Sequence, residues 1–305
     1  MIQEAHDDAP RVAIPPQPVR SPHPHSVSVV VPNYNYAHYL RERISGILAQ
    51  THPIEEVILL DDASTDDSAV VIEQIKTEWD KQLQVVLNTK NSGAIVHQWA
   101  RGVNLAKGEL VWIAEADDLA DDDFLATTVR AFDDPEVVLS YCQSRRVDAA
   151  GKVLHEDYSD YLDDVDPDRW RRDYCRAGAG EIADALSVRN TIPNISAVVF
   201  KRAALSDVLA ANLNELSSLR IAADWCCYLH LLQQGSIAYT ARSLNSHRHH
   251  SRSVTALTDG LRHLQEIQQM QRLAARLVDV PVDKVIAGRL WYAACAEMAA
   301  DALRG

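Results

Sequence analysis

The sequence predicts an α/β fold, with a doubly wound, mostly parallel sheet flanked by helices and a helical extension at the C-terminus. Two observations support this prediction. Short apolar runs alternate four times with stretches whose apolar residues recur at helical spacing. The runs are mostly apolar rather than apolar only at every second position, which is typical of strands buried on both faces of a parallel sheet.

The first half of the chain supplies four of these strands. The β-branched run at 27–31 predicts the first one, and we expect Asn35 to cap the helix that follows it. Further strands are predicted at 57–60, 83–87 and 109–114. Helical patterns separate the runs, so we expect right-handed crossovers between parallel strands.

The second half of the chain alternates less regularly. Its predicted helices lie near 122–133 and at 221–234, and two more follow a polar, basic loop at 247–255. Its predicted strands lie at 137–142, 152–155, 196–200 and 236–240, the last of them at the edge of the sheet.

We expect the chain to have three segments. Half of its twelve prolines fall within the first 24 residues, so residues 1–25 are predicted to be a flexible tail or linker. Residues 26–255 would form the α/β domain, divided at residue 120 into two halves. Residues 256–305 are predicted to form helices that pack on this domain, with their arginines in water.

The charge of the chain excludes one class of partner. It has 43 acidic and 30 basic residues, a formal net charge of −13, whereas nucleic-acid binding needs a basic surface. We find no long apolar segment and no signal peptide. We therefore expect a cytoplasmic protein, and leave peripheral contact at the inner face of the membrane open. The five cysteines lack CxxC spacing, which predicts a reducing compartment and neither a disulfide framework nor a zinc site.

The fourth apolar run stops at three carboxylates, Glu115, Asp117 and Asp118. In open parallel sheets, ligands bind beyond the carboxyl ends of the strands. Three acids at that edge repel one another unless a cation or several donors neutralise them, and hard carboxylate oxygens suit Mg²⁺ or Mn²⁺. The alternative is a solvated acidic loop that caps the helix starting near Asp121.

Several familiar motifs are missing from the sequence. There is no GxGxxG after the first strand, no GK[ST] of a P-loop and no GxSxG nucleophile elbow. The strand ends instead present PNYN, DDAST, NSG and EADD. An acidic rim without a glycine-rich cradle points to a diphosphate held through a divalent ion.

These motifs occur in the order and spacing of a known family. The segment VSVVVPNYNYAHYLRERISGILAQTHPIEEVILLDDASTDDS, followed by NSG and EADD, resembles a family 2 glycosyltransferase with the GT-A fold. The resemblance is strong over residues 27–120 and extends more loosely to about 255. It implies a nucleotide-binding half at 26–120, an acceptor half at 121–255, and a nucleotide-diphosphate sugar as donor.

The resemblance also implies roles for individual residues. Asp62 would accept the imide N–H of a uracil-type base. Asp118 would bind a divalent metal, Mn²⁺ or Mg²⁺, with help from Glu115. The residues implied to contact the donor are Pro32, Asn33, Tyr34, Asp62, Asn91, Ser92, Gly93 and Asp117. Asp61 and Asp66 are interpreted as structural residues of the turn.

The segment Ile-Ala-Ala-Asp-Trp at 221–225 resembles the family's Glu-Asp-Trp segment, in which an acid is the catalytic base. Ala223 stands where the family often has Glu, so the role falls to Asp224. Asp224 would take a proton from the acceptor hydroxyl, help that is worth roughly 10²–10⁴-fold in rate. The alternative is an aspartate placed at a helix N-terminus by the helix dipole.

The histidine-rich segment at 247–255 resembles the loop that closes the site in this family. His250 would complete the metal shell or touch the diphosphate, and Arg248 and Arg252 would offset phosphate charge. A zinc site among its histidines is disfavoured, because two of them are adjacent and cysteine partners at ligand spacing are missing.

The implied reaction is an inverting single displacement from a UDP- or dTDP-sugar to a hydroxyl of a glycan or lipid-linked acceptor. Asn194 and Ser196 are candidates to face that acceptor, with a capped strand entry as the alternative. Two other functions stay open. One is a non-catalytic binding or assembly module of the same fold, supported by Ala223 and by the proline-rich tail, which also allows fusion to other glycan-assembly domains. The other is a sugar-nucleotide nucleotidyltransferase, which would need a Gly-rich, basic loop where PNYN stands.

Overall fold

A computed structural model of the chain describes residues 25–79, 83–250, 258 and 260–302. The predicted tail, apart from His25, lies outside the described residues, as do positions 251–255 of the histidine-rich segment. The strands are β1 (Val27–Asn33), β2 (Ile54–Asp61), β3 (Leu83–Leu87), β4 (Leu110–Ile113), β5 (Leu119–Ala120), β6 (Val137–Val147), β7 (Val153–His155), β8 (Tyr174–Ala177), β9 (Val198–Lys201) and β10 (Ser236–Arg248).

The helices flank this sheet and follow it. They are α1 (Ala37–Leu48), α2 (Ser68–Glu78), α3 (Ile95–Leu105), α4 (Phe124–Thr128), α5 (Ser159–Leu162), α6 (Gly178–Glu181), α7 (Arg202–Ser218), α8 (Ala223–Leu231), α9 (Gly260–Leu277) and α10 (Val282–Ala302). Helix α7 was not predicted from the sequence. No helix within the described residues is both long and apolar enough to span a membrane.

The strands form one sheet in the order β3-β2-β1-β4-β9-β6-β10-β5, with β7 beside β6 and β8 beside β10. β1 to β4 pair in parallel, as do β6 and β10. β9 lies antiparallel between β4 and β6, so those two strands run in the same direction. Most strands therefore share one direction, and the predicted mostly parallel sheet is confirmed.

Helices cover both faces of the central strands. Val29 of β1 packs in a core that includes Ile44 of α1, whereas the next residue, Val30, packs in a second core with Trp99 of α3 and Leu205 of α7. A strand between two helical layers is buried on both faces, which favours apolar residues at successive positions and explains the mostly apolar runs in the sequence. The same arrangement is the predicted doubly wound architecture.

The prediction for the strand at 236–240 is wrong in position and length. β10 runs on to Arg248, and it lies inside the sheet, with β6 on one side and β5 and β8 on the other. His247 and Arg248, predicted as loop residues, therefore belong to the strand. Register irregularities between Thr240 and Asn245 interrupt its pairing with β6, and a polar stretch with such bulges does not give the sequence pattern of an inner strand.

Asn35 does not cap α1, contrary to the prediction. It has a φ of 62°, and its side-chain oxygen accepts a 2.7 Å hydrogen bond from the backbone N–H of Thr65, which ties the β1–α1 turn to the β2–α2 turn. The N–H of Ala37 at the start of α1 donates instead to the carboxylate of Asp66, at 3.0 Å. The acceptor comes from 29 residues further along the chain, so no local pattern reveals it.

Candidate functional site

A cavity of about 500 Å³ lies at the carboxyl ends of β1, β2 and β4, within the size range of small-molecule sites. It is lined by eleven of the thirteen residues that we predicted for the site, namely Pro32, Asn33, Tyr34, Asp62, Asn91, Gly93, Glu115, Asp117, Asp118, Asp224 and Arg248. The other two, Ser92 and His250, contact lining residues. The fold thus brings together motifs that are far apart in sequence.

The end of β1 places one buried and one exposed side chain at the cavity. Asn33 is buried, and its amide donates to Oδ1 of Asp61 at 2.6 Å. Asp61 also accepts hydrogen bonds from Ser64, which agrees with its interpretation as a structural residue. Tyr34 has 44% of its surface exposed and lines the cavity, so its ring is available to a ligand.

The carboxylate of Asp62, just beyond β2, is held by donors from the β3–α3 region. Its Oδ1 accepts from the side chains of Asn88 and Gln98, at 2.6 and 2.8 Å. Its Oδ2 accepts from the hydroxyl of Ser92 at 2.7 Å, and the N–H of Ser92 is shared between both oxygens. Oδ1 therefore accepts three hydrogen bonds and Oδ2 accepts two.

The turn that carries Ser92 is shaped by its neighbours. The amide of Asn91 donates to the backbone oxygen of Asp62 at 3.1 Å, and its oxygen accepts from the N–H of Gly93 at 2.8 Å. Gly93 has a φ of 83°, in the left-handed region that favours glycine. The NSG motif is thus a rigid turn docked on Asp62.

Asp118 is buried, with 4% of its surface exposed, so it does not belong to a solvated loop. Its Oδ2 accepts a 2.9 Å hydrogen bond from the amide of Asn194, and its Oδ1 accepts one from the backbone N–H of Arg248, also at 2.9 Å. The carboxylate is therefore fixed from two sides, and each oxygen keeps a lone pair.

Glu115, three residues earlier, is held in the same way. Its Oε1 accepts from the indole N–H of Trp99 at 2.9 Å, and its backbone N–H donates to the hydroxyl of Ser196 at 3.0 Å. Burial, together with the charges of Asp117 and Asp118, raises the pKa of Glu115 to about 8, although the hydrogen bond from Trp99 and the charge of Arg43 lower it. The three acids of the turn thus repel one another, as the sequence predicted.

Asp117 and the end of β10 contact each other. Oδ2 of Asp117 lies 3.0 Å from Nε2 of His250. The guanidinium of Arg248 donates to the backbone oxygens of Asp117 and Ala149, at 2.6 and 3.0 Å, and to Glu42 at 2.9 Å. These contacts position the turn that carries Glu115, Asp117 and Asp118, the acid turn. Arg248 also lines the cavity, and its role in offsetting phosphate charge stays a prediction. Its predicted companion Arg252 lies outside the described residues.

Asn194 and Ser196 were considered as acceptor-facing residues, and their side chains instead hold the acid turn. Asn194 caps a short helical turn at Ile195–Ala197, where its oxygen accepts from the N–H of Ser196 at 2.6 Å. This capped geometry directs the amide nitrogen of Asn194 to Asp118 and the hydroxyl of Ser196 to Glu115. The bonds fit the alternative of a capped strand entry, and because Asn194 also lines the cavity its contact with an acceptor stays a prediction.

Asp224 lies in the first turn of α8 and lines the cavity. Its Oδ2 accepts from the amide of Asn190 at 3.1 Å, and its Oδ1 accepts from the N–H of Trp225 at 2.7 Å. Burial raises the pKa of Asp224 to about 7, although both hydrogen bonds lower it. A carboxylate with this pKa is suited to general-base catalysis near neutral pH.

Glu266 binds the loop that precedes α8, and this residue was not predicted from the sequence. Glu266 of α9 is buried, and its carboxylate accepts from the backbone N–H groups of Arg220, Ile221 and Ala222, at 2.7, 2.8 and 3.1 Å. The signal was present, because Glu266 interrupts the apolar stripe of α9 four residues before Met270. A C-terminal helix therefore supports the loop that leads to Asp224.

Arg43 of α1 is a second residue that was missed, and it too interrupts an apolar helix face. It is 2% exposed, and its guanidinium carbon lies 4.8 Å from the ring centre of Trp112. Burial lowers the pKa of Arg43 to about 10, against the opposing charges of Asp118, Asp117 and Glu115. Its Nε and Nη2 have no hydrogen-bond partner among the described residues. A fixed positive charge therefore lies close to the acid turn.

The chain matches a family model and has a named glycosyltransferase among its relatives. The model of Glycosyl transferase family 2 matches residues 28–188, more than half of the chain. Glycosyltransferase GlyG of Streptococcus pneumoniae is 37% identical over 101 residues, 33% of this chain and 33% of GlyG. The uncharacterized protein Rv1520 of Mycobacterium tuberculosis is 30% identical over 239 residues, 76% of this chain and 62% of Rv1520. The chain thus spans less than two thirds of the length of these relatives.

Solved structures share the fold. S. aureus TarS 1-349 superposes with a TM-score of 0.59 at 17% identity, covering 84% of this chain and 67% of that one. Mannosyltransferase PcManGT from Pyrobaculum calidifontis, in complex with GDP-Man and Mn²⁺, has a TM-score of 0.59 at 22% identity and covers 93% and 78%. These likenesses confirm the GT-A-like sheet, and together with the matched family model they show that the chain belongs to glycosyl transferase family 2.

Proposed function

We propose that this chain transfers a sugar, with inversion, from a UDP- or dTDP-sugar to a hydroxyl of a glycan or lipid-linked acceptor. The observation that carries the proposal is the shared cavity, which Asp62, Asp118 and Asp224 all line. Family membership supports the reaction class. The setting we propose is glycan assembly in the cytoplasm, with peripheral contact at the inner face of the membrane where the acceptor is lipid-linked.

The donor's base would bind beside Asp62 and Tyr34. Oδ2 of Asp62, which accepts fewer hydrogen bonds than Oδ1, would accept the imide N–H of uracil or thymine. The exposed ring of Tyr34 offers a stacking surface. The fold alone does not choose the base, since TarS has been solved with UDP-GlcNAc and PcManGT with GDP-Man. Asp62 is therefore the residue on which we base the preference for a pyrimidine.

The lining residues fit a divalent cation. Five carboxylates line the cavity against two arginines, Arg220 and Arg248, so a diphosphate needs additional positive charge there. Asp118 offers hard oxygens with free lone pairs, which suit Mn²⁺ or Mg²⁺, and Glu115 and His250 are the further candidate ligands. A bound ion would supply Lewis-acid stabilisation of the charge that develops on the leaving diphosphate.

Asp224 would act as the base. As the acceptor oxygen attacks the anomeric carbon, its proton passes to the Asp224 carboxylate and the bond from the sugar to the diphosphate breaks. Asn190 and the N–H of Trp225 hold that carboxylate in one orientation. A single protein carboxylate suffices for this displacement, because the leaving group departs as a diphosphate and needs no protein acid.

A panel of nucleotide-sugars tests the proposal. With Mn²⁺ or Mg²⁺ present, we expect UDP- or dTDP-sugars to raise the melting temperature more than GDP-sugars do, and Asp62→Asn to remove that preference. Turnover should release UDP or dTDP. Release of pyrophosphate from a nucleotide triphosphate would indicate the nucleotidyltransferase instead. Binding of UDP with no turnover against a range of acceptors would favour the non-catalytic module, and a preference for purine nucleotides would contradict the role of Asp62.

A further inference from the structure

Three potential metal ligands converge between α7 and α8, away from the cavity. They are Glu215 of α7 and Cys226 and His230 of α8, and their carboxylate oxygen, sulfur and imidazole nitrogen all lie within 4.8 Å of one another. Cys226 and His230 are four residues apart, so they lie on the same face of the helix. None of the three lines the cavity.

We propose that these three side chains form a zinc-type metal site that is separate from the sugar-transfer site. Thiolate, imidazole and carboxylate are all ligands of Zn²⁺, and three protein ligands leave a fourth position for water. Donor atoms around one tetrahedral Zn²⁺ lie roughly 3–4 Å apart, given bond lengths of about 2.0–2.3 Å. Nε2 of His230 and Oε2 of Glu215 are already 3.2 Å apart.

Two of the three side chains reach solvent. Cys226 is fully buried, whereas the side chains of His230 and Glu215 are 18% and 33% exposed, so an ion can enter past them. Burial raises the pKa of the Cys226 thiol, as do the nearby Glu215, Cys227 and Asp224, and Arg276 of α9 lowers it. An incoming ion therefore displaces the thiol proton to solvent as the metal–sulfur bond forms.

The alternative is an ordinary hydrogen bond between His230 and Glu215 beside a buried cysteine. Zinc was disfavoured in the sequence because cysteines at CxxC spacing are missing. A site with one thiolate, in which the third ligand comes from another helix, does not require CxxC spacing. A metal here would join α7 to α8, whose first turn carries Asp224, and would thereby stabilise that helix.

Cobalt titration of the purified full chain tests the site. Co²⁺ bound to a thiolate gives a sulfur-to-metal charge-transfer band in the near ultraviolet and tetrahedral visible bands, and added Zn²⁺ should displace both. We expect one equivalent of this signal in wild type and its loss in Cys226→Ser. Cys227→Ser, at the adjacent buried cysteine, is the matched control and should keep the signal. Asp118→Asn should also keep it, which separates this site from the carboxylate site.

His230→Gln covers the case in which Cys226→Ser does not fold, because position 230 is partly exposed. It should weaken cobalt binding by about tenfold or more, with an unchanged circular dichroism spectrum. Absence of a thiolate band in wild type, its persistence in Cys226→Ser, its loss in a folded Cys227→Ser, or unchanged affinity in His230→Gln would each overturn the proposal. None of these readouts depends on donor binding or turnover, so the proposed sugar transfer can fail independently.

Discussion

Asn194 donates a 2.9 Å hydrogen bond to the buried carboxylate of Asp118, across 76 positions of the sequence. This bond connects the turn after β4, in the predicted nucleotide-binding half, to a short helical turn in the predicted acceptor half. The N–H of Arg248 occupies the other oxygen of Asp118. The orientation of the acid turn thus depends on two segments that its own motif does not contain.

Arg43 should weaken metal binding at the acid turn. Replacement by methionine keeps the apolar contacts of its stem but removes the buried charge that opposes Glu115, Asp117 and Asp118. We therefore expect Arg43→Met to bind Mn²⁺ several-fold more tightly than wild type, measured by isothermal titration calorimetry without donor. The matched control is Arg41→Met on the same helix, where the arginine is exposed and pairs with Glu78. Unchanged or weaker binding in Arg43→Met would show that its charge does not act on the turn.

Replacing Asp224 should abolish proton transfer without affecting donor binding. We expect Asp224→Asn to lower kcat by roughly 10²–10⁴-fold and to leave the Kd for UDP within a few-fold of wild type. The control is Asp207→Asn, an exposed aspartate on α7. A variant as fast as wild type would remove the base assignment.

The same residue should set the pH dependence of wild type. The base acts when deprotonated, and burial raises the pKa of Asp224 to about 7. The value of kcat/KM should therefore rise with pH and level off above about 7, in buffer freed of zinc. A profile that is flat between pH 5 and 8 would be inconsistent with this role.

Glu266 should matter for catalysis although it lies on a C-terminal helix. In Glu266→Gln, an NH₂ group replaces one of the oxygens that accept from the backbone of 220–222. We expect the free energy of unfolding to fall by about 1–3 kcal/mol and kcat to decrease, with UDP binding unchanged. Glu297→Gln, an exposed glutamate on α10, is the control. If both stability and kcat match wild type, α9 does not support the approach to Asp224.

Asp66 should stabilise the starts of two helices. Its carboxylate accepts from the N–H groups of Ala37 in α1 and Ser68 in α2, so Asp66→Ala should cost about 1 kcal/mol of unfolding free energy at pH 7. Partial burial raises the pKa of Asp66, but the hydrogen bond from the Ser68 side chain and those from the backbone outweigh it, and the pKa lies below its ordinary value of 3.8.

A carboxylate whose pKa is lower in the folded state than in the unfolded state stabilises the fold at pH values above its unfolded-state pKa. The advantage of Asp66 should therefore be complete above about pH 5 and disappear as pH falls through its folded pKa, which lies below 3.8. Chemical denaturation of both proteins across this range measures it. The control is Asp67→Ala, since Asp67 stands at the N-cap position of α2 but makes no side-chain cap hydrogen bond. An equal loss in both variants would show that the cap position alone is responsible.

Strands β1, β2 and β4 were predictable because they lie inside the sheet, where burial on both faces favours runs of apolar residues, and Val29 and Val30 of β1 pack in opposite cores. β3 is partly exposed, and its apolar residues between two helical patterns predicted it. β10 was not predictable in full, because polar residues such as Ser243 and Asn245 take part in an irregular ladder. The capping of α1 by Asp66 escaped prediction for another reason, since it depends on a residue brought close by the fold.

The lining residues that stand in a recognisable motif could be predicted from the sequence. The residues that hold them by hydrogen bonds could not. Asp62 stands in a recognisable turn, but its donor Gln98 is 36 residues away. Asp224 stands in a recognisable segment, but its donor Asn190 lies 34 residues before it. Such partners carry no local pattern, because any amide at the right point in space serves the purpose. Arg43 and Glu266 did leave a signal, as charged residues on apolar helix faces.

A divalent cation at the acid turn is proposed to hold the diphosphate of the donor, and calorimetry of UDP binding tests this role most directly. In wild type, we predict that Mn²⁺ tightens UDP binding by at least about tenfold relative to buffer with chelator, about 1.4 kcal/mol. Asp118→Asn should lose this gain, and Asp122→Asn, at an exposed acid four positions further on, should keep it. A full Mn²⁺-dependent gain in Asp118→Asn, or none in wild type, would contradict the account.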